Sequence, residues 1–266
     1  MPSPSLSGIM PFRILWVAAR TQIRIARRNI ENIFPLLTIP LQALVSLAIL
    51  VHSGRSDLAS FALVASLLMT VGQMSFFDGS EILAQDRNHQ ILELAVASPT
   101  PYSRPLIARI LVLTAMGAAG FVESWLIARI VFGIHVVVYH PILFLVTGSF
   151  TVFAGAATAL ITTAVFCLTR TTRTYQNAIS GPLYLLSGVL VPIPFLPAVL
   201  RPLSRFIYLF WSADLLRDSM RPGIPESVLP RLSAILVLGL LGGAVGAWLL
   251  RRMLNNLKRD GTLGLS

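Results

Sequence analysis

Six apolar runs, at 33–52, 59–77, 106–131, 141–168, 178–191 and 231–250, alternate with polar segments along the chain. At 1.5 Å per helical residue, about twenty residues cover a hydrocarbon core of roughly 30 Å, so runs of this kind predict helices that cross a bilayer. The pattern predicts an all-α integral membrane protein with six transmembrane helices in a single transmembrane domain. Pro35 and Pro40 fall in the first turns of the first run, where a missing backbone donor is cheap or produces a kink.

Three segments depart from this rhythm. Residues 1–10 are Pro/Ser-rich and expected to be disordered. From Pro11 to residue 31 the period is helical: Phe12, Leu15, Trp16, Ala19, Ile23, Ala26 and Ile30 share one arc, and Arg13, Arg20, Arg24, Arg27 and Arg28 the adjacent one. This is an amphipathic interfacial helix, with its apolar face in the acyl boundary and its arginines on anionic lipid head groups. A soluble amphipathic helix would need a domain to pack on, and none follows. A secretory leader is not expected, because the charged region is long and no small-x-small cleavage site is clear after the next apolar run. The second segment, QDRNHQILELAVASPTPYSRPLIAR at 85–109, is the longest charged interruption in the first two thirds of the chain. The third, 192–230, is too broken by Pro192, Pro194, Pro197 and Pro202 to span, yet too apolar for a solvated loop. Short re-entrant helices dipping into the outer leaflet suit it, since such backbone is allowed where it is buried in protein or lines a cavity. The plainer alternative is an amphipathic loop lying on the membrane.

Composition agrees with a membrane protein. The 266 residues are 55% hydrophobic and 12% charged, with mean hydropathy +0.76, against roughly 25% charged in a typical soluble domain. The net charge of +10 does not point to nucleic acid, because the basic residues sit beside apolar runs rather than on one solvated face. The positive-inside rule explains them better. With both termini in the cytoplasm, the inner segments hold the five N-terminal arginines, then Arg87, Arg104 and Arg109, then Arg170 and Arg173, then Arg251, Arg252, Lys258 and Arg259. The opposite short loops hold Arg55 and Arg129. Arg201, Arg205, Arg217, Arg221 and Arg231 run against the rule. They lie in or beside the longest loop, where it weakens, and Asp214, Asp218 and Glu226 partly offset them. Cys167, the sole cysteine, can form no intramolecular disulfide. The expected location is the cell membrane, multi-pass.

Residues 180–218 read SGPLYLLSGVLVPIPFLPAVLRPLSRFIYLFWSADLLRD. Ser187, Gly188, Val189, Pro192, Leu196, Pro197, Asp214 and Arg217 give an order of motifs that resembles the last third of the permease subunits of type-2 ABC exporters. Asp86, Arg87, Leu92, Glu93, Ser98 and Pro99 are similar to the same family's loop between spans two and three. Gln90 departs from it, standing where members commonly have Gly, so the turn opening the coupling helix is open to difference here. The resemblance extends over nearly the whole chain through the number and order of spans.

The resemblance implies a division of labour. In that family a separate ATPase subunit binds the loop between spans two and three, and two permease halves, identical or related, pair around a central pathway. The interfacial helix is similar to the family's connecting helix, which also touches the ATPase. The sequence itself holds no G-x-x-x-x-G-K-[ST], and its single lysine, Lys258, lies in the tail. ATP and Mg are therefore expected on the partner, with no cofactor on this chain and no enzymatic activity of its own. Within the loop 85–104, a short coupling helix near 86–97 would present Asp86, Arg87 and Glu93 to the ATPase while Ile91, Leu92 and Leu94 pack toward the membrane domain. Ser98-Pro99-Thr100-Pro101 would end it, because a residue before proline disfavours α geometry. From the family's use of spans two and five, the substrate pathway is expected at Gln73, Met74, Phe77, Tyr184 and Ser187. An extracytoplasmic gate is expected at Pro192, Phe195, Leu196 and Pro197.

Other residues carry less. Glu123 lies within the third run, nearer its outer end than the midplane, where a structural partner such as Arg129 is as reasonable as a substrate contact. His52, His135 and His140 sit at outer ends of spans and lack metal-ligand spacing. Gly239, Gly242, Gly243 and Gly246 form overlapping small-x-x-x-small pairs that predict close helix packing, as do Gly117, Gly120, Gly148 and Gly155. The alternative function is a secondary, ion-coupled multidrug transporter without an ATPase partner, which usually carries ionisable groups near the midplane. A membrane enzyme or scaffold ranks last, since no paired-carboxylate, metal or nucleophile constellation is present. The expected cargo is an amphiphilic or hydrophobic molecule such as a drug, antibiotic or lipid.

Overall fold

The computed structural model describes residues 10–28, 30–55, 58–88, 102–166, 172–191 and 193–260, and among them the regular structure is helical throughout. Helix α1 (Met10–Arg28) is followed by α2 (Ile30–His52). A continuous rod comes next: α3 (Ala59–Gly72), a π-helical turn (Gln73–Asp78) and α4 (Gly79–Asn88). The third run is α5 (Ser103–Met116) and α6 (Ala119–Ile130), and the fourth is α7 (Pro141–Phe166). Then come α8 (Thr172–Leu186), a 3-10 turn (Ile193–Phe195), α9 (Arg201–Ser204), α10 (Tyr208–Ser219) and α11 (Val228–Asp260).

Four of the six expected spans are helices long and apolar enough to cross a membrane: Ala59–Asp86, Ser103–Ile130, Pro141–Val165 and Val228–Met253. Within α2 the apolar stretch Leu41–His52 is shorter. The run expected at 178–191 is a helix displaced toward the N-terminus, Thr172–Leu186, of 15 residues, which covers only about 22 Å. It ends because the chain turns at Gly188, whose φ of +72° suits glycine. The second run was expected to end at 77, but its helix continues to Asn88. Ile82 and Leu83 keep facing inward and are buried with Leu106 and Ile110, so the apolar stripe outlasts the apolar run. Residues 85–88 and 103–104, expected in the coupling loop, are helical; 89–101 lie outside the described residues, as do Cys167 and Arg170.

The rod α3–π–α4 is the most enclosed of the four spans and packs against α2, α5, α6, α7 and α10. Glycine permits two of these approaches. Gly117, where the α5–α6 axis breaks, faces Val71 so closely that a Cβ would stand 2.8 Å from its Cα, and Gly120 abuts the Thr70 side chain. Around Gly117 the backbone bonds shorten to three residues, Ala118 N–H to Ala115 and Gly120 N–H to Gly117, a tightened turn of the kind that bends a helix.

The expected glycine row on the last helix packs on α7. A Cβ on Gly239 would lie 3.0 Å from Ala154, one on Gly243 3.2 Å from Ala157, and one on Gly246 2.6 Å from the Leu160 Cβ. Gly155 also lies in a contact, its Cβ position 3.1 Å from the Tyr208 hydroxyl. Gly148 does not: nothing stands within 4 Å of its Cβ position among the described residues.

Two irregular pieces close the opposite end from Asp86. Residues 131–140 are not a tight turn but an extended strap in which Phe132, Ile134, Val136 and Val138 pack on the core while His135, Val137 and Tyr139 face out, the alternation of extended chain. Helix α10 runs antiparallel to the first half of α7. Tyr208 lies beside Gly155, Thr151 donates to Ser212 at 2.8 Å, and the His140 N–H donates to Ser219 at 2.9 Å.

Replacing Gly246 by Ala should lower the melting temperature of the detergent-solubilised chain, since the new methyl has only the Leu160 and Ile161 backbone to push against; overpacking of this kind costs about 1–3 kcal/mol. Gly148→Ala should leave it unchanged or slightly raised. Equal melting temperatures for the two variants would contradict the packing described.

Candidate functional site

The segment expected to meet a partner is held at both ends by one buried network. Asp86, in the last turns of α4, is 4% exposed and its Oδ2 accepts hydrogen bonds from the Tyr102 hydroxyl and from Arg109 Nη1, each at 2.6 Å. Arg109 Nε donates in turn to Gln22 Oε1 at 3.0 Å, and Gln22 is itself buried on α1. A charge taken out of water needs a paired, hydrogen-bonded counter-charge, and short N–H···O and O–H···O contacts of this kind are the strong ones. The network thus joins three elements: the end of α4, the start of α5, and α1.

This placement corrects the expectation that Asp86 faces a partner. Its carboxylate is directed into the bundle, because α4 continues past residue 77 and carries Asp86 onto the inner face beside Arg109. Ile91, Leu92, Glu93, Ser98 and Pro99 lie outside the described residues, and Arg87 is in the last turn of α4. On α1 the face that packs on α5 carries Ala18 and Gln22, both buried, while Trp16 and Ile23 of the predicted apolar arc are exposed.

The five residues expected along a pathway do not form one site. Phe77 and Tyr184 come together at a cavity of about 260 Å³ between the π turn, α7, α8, the start of α10 and α11. The Tyr184 hydroxyl sits on Gly72 and donates to the Met69 carbonyl at 3.3 Å. Met74 is buried in the separate cluster around Leu83 and Leu106, and Gln73 is half-buried. Ser187 belongs to a second cavity of about 370 Å³ at the end away from Asp86.

Arg217 organises that end. Its guanidinium lies 3.4 Å over the Phe61 ring and donates from Nη1 to the Gly188 carbonyl at 2.9 Å and from Nη2 to Val189 at 3.0 Å. It caps the turn where the α8 chain reverses and fastens that turn to α3 and α10. Burial pushes the group down to about 10, Asp214 pulls it back up, and it stays charged at neutral pH. Nearby, Arg231 of α11 pairs with Asp214 at 2.9 Å and Asp218 at 2.6 Å. Of the expected gate, Pro192 lies outside the described residues, Leu196 is buried, and Phe195 and Pro197 are exposed. Arg129 lies over Trp125 at 5.7 Å, and Glu123 forms no ion pair among the described residues.

Sequence reasoning missed the pairing of Asp86 with Arg109 and the contribution of Gln176 and Tyr208 to the cavity walls. A carboxylate two turns into an apolar helical stripe, with an arginine opening the next span, was the available signal for the first. For Gln176 the polar setting of 169–177 concealed a helical position facing inward.

With this geometry in place, comparison with known families is informative. The model of the ABC-2 type transporter family matches residues 13–220, from the interfacial helix through α10. The chain belongs to the ABC-2 type transporter family. It is therefore a multi-pass membrane protein and the permease component of an ABC transporter, in a family of transport rather than catalytic subunits. No curated protein matches the chain.

In this permease the Asp86–Arg109 pair should show its coupling in a double-mutant cycle. Asp86→Asn should destabilise the solubilised chain by about 3 kcal/mol, since it strands the Arg109 charge. Adding Arg109→Gln should cost less than the sum of the single changes by at least about 1 kcal/mol. Strict additivity in melting measurements would show that the two side chains do not act as a pair.

Proposed function

We propose that this permease is half of the membrane pathway of an ATP-driven exporter whose motor is a separate ATPase docking on residues 85–104. Two copies, or two related permease chains, would enclose the pathway, with both termini and the docking loop in the cytoplasm of a plasma or inner membrane. ATP and Mg would reside on the ATPase. The observation that carries the reading is the family match over residues 13–220. The Asp86 network supports the assignment of the loop, because it pins the helices on either side of 89–101 to each other and to α1.

In this reading the network is a base and the residues beyond it the contact surface. Arg87 and Glu93 would meet the ATPase, Ile91 and Leu92 would pack toward the membrane domain, and Ser98-Pro99 would stop the coupling helix. A partner's push on the loop would reach α4, α5 and α1 together, since all three share the Asp86 knot. Helix α10, lying along half of α7, supports a re-entrant role for 192–230, with Phe195 and Pro197 at the outer gate. The cargo would be a hydrophobic or amphiphilic molecule.

The test is purification of the chain with the Walker-A ATPase encoded beside it. The two should co-purify, and Arg87→Ala with Glu93→Ala should reduce the ATPase activity of the complex severalfold at unchanged permease abundance. Absence of any associated ATPase, or loss of activity only in proportion to lost permease, would defeat the proposal.

A further inference from the structure

The smaller cavity has walls that specify a chemistry. Its aromatic lining comes from Phe76, Phe77, Tyr184, Phe206 and Tyr208, and among the described residues no Asp, Glu, Lys, Arg or His borders it. Most of the polar side chains that border it are already engaged within the chain. The Thr158 hydroxyl donates to the Ala154 carbonyl at 2.8 Å, Thr162 to Ala159 at 2.8 Å, Ser180 to Asn177 at 3.1 Å, and Tyr184 to Met69 at 3.3 Å. Gln176 gives its amide N–H to Ser80 at 2.6 Å and keeps its carbonyl oxygen enclosed in the wall. The Tyr208 hydroxyl is enclosed as well, facing Ser75 and Thr158 without closing a well-formed hydrogen bond.

A ligand entering this space finds rings and methyl groups, the unpaired Tyr208 hydroxyl and Gln176 carbonyl oxygen in the walls, and no charge among the described residues. Burying an ionised group there would incur its full desolvation cost with no counter-charge. The volume is informative too. A cavity of about 150 Å³ holds benzene, so one of about 260 Å³ takes a molecule of two or three aromatic rings but is far too narrow for a helix. At the rim, Ile179 is 54% and Phe206 76% exposed, so the entrance is apolar and favours a ligand arriving from lipid over one arriving from water.

We infer that this cavity, formed within a single permease chain between the π turn, α7, α8, α10 and α11, binds uncharged aromatic molecules of two to three rings that enter from the membrane. Their being the exported cargo rests on the exporter reading; their binding does not.

The probe is N-phenyl-1-naphthylamine, with 8-anilino-1-naphthalenesulfonate as its charged counterpart on the same rings. Titrated into the full chain in phospholipid nanodiscs, the uncharged dye should bind saturably at about one per chain, above its partition into empty nanodiscs. Ile179→Trp, which fills the mouth, should weaken it roughly tenfold or more. Leu185→Trp, on an exposed face of α8 away from the cavity, should leave it unchanged. An aryl-azide analogue photolysed on the unaltered chain should label 176–184 or 206–208, which keeps the test valid should Ile179→Trp misfold. Non-saturable uptake, unchanged affinity in Ile179→Trp, labelling confined elsewhere, or sulfonate binding that Ile179→Trp abolishes would each overturn the inference. So would binding seen in detergent but lost in nanodiscs, which assigns the cavity to acyl chains. In the complex with its ATPase, dye that binds without changing hydrolysis would overturn the cargo assignment, whereas failure of an ATPase to associate would defeat the exporter reading and leave binding intact.

Discussion

A carboxylate buried at the foot of the second span constrains how everything around it is arranged. Asp86 cannot sit at 4% exposure without a counter-charge, and Arg109, 23 residues later, supplies it. The pair holds the end of α4 directly beside the start of α5. It therefore fixes where the intervening loop begins and ends. Tyr102 shares the carboxylate and Gln22 orients the guanidinium, so the interfacial helix is tied to the same atom set. A hydrophobic isostere could have filled this space at comparable or better stability. A charged knot in its place favours one mutual register of α1, α4 and α5 over the sliding contacts that apolar side chains would tolerate.

Much of this architecture was readable from residue order. The long apolar runs became α3–π–α4, α5–α6, α7 and α11, and the amphipathic pattern before them became α1. The glycines at 239, 242, 243 and 246 met α7 as their spacing required. Two of the failures share one cause, which is that side-chain polarity stands in poorly for helix continuation. Gly79, Ser80 and Glu81 look like the end of a span, yet Ile82 and Leu83 keep the stripe facing inward and the helix persists to Asn88. Residues 169–177 look like a loop, yet α8 begins at Thr172. Asp86 looks like a surface charge because its partner is distant in sequence. The end of α8 was equally invisible, since Arg217, which caps its reversal, lies 28 and 29 residues from the carbonyls it holds. Gly148 shows the opposite error, a glycine at suggestive spacing with nothing within 4 Å of its Cβ position among the described residues.

The rod α3–π–α4 is central because one helix touches the Arg217 cap, the aromatic cavity and the Asp86 network. Phe61 near its start carries the Arg217 guanidinium, Phe76 and Phe77 border the aromatic cavity, and Asp86 anchors the loop. Phe61 and Phe77 lie about 24 Å apart along the helix, and Phe77 and Asp86 about 14 Å. A regular helix would carry a displacement of Asp86 along its axis with little loss.

The irregularity in that rod falls at the cavity. Residues 73–78 form a π turn, a geometry that holds an extra residue in the helix and is otherwise rare. Gly72 and Gly79 flank it, and Gly72 lets the Tyr184 hydroxyl approach so closely that a Cβ could not be accommodated. The helix and the cavity wall are thus fitted to each other at the point where the helix departs from α geometry. Closing the π turn into α would rotate Phe76 and Phe77 relative to Asp86 by a large fraction of a turn, since one residue subtends about 100°. The shape of the cavity and the position of Asp86 are consequently two readings of one helical register.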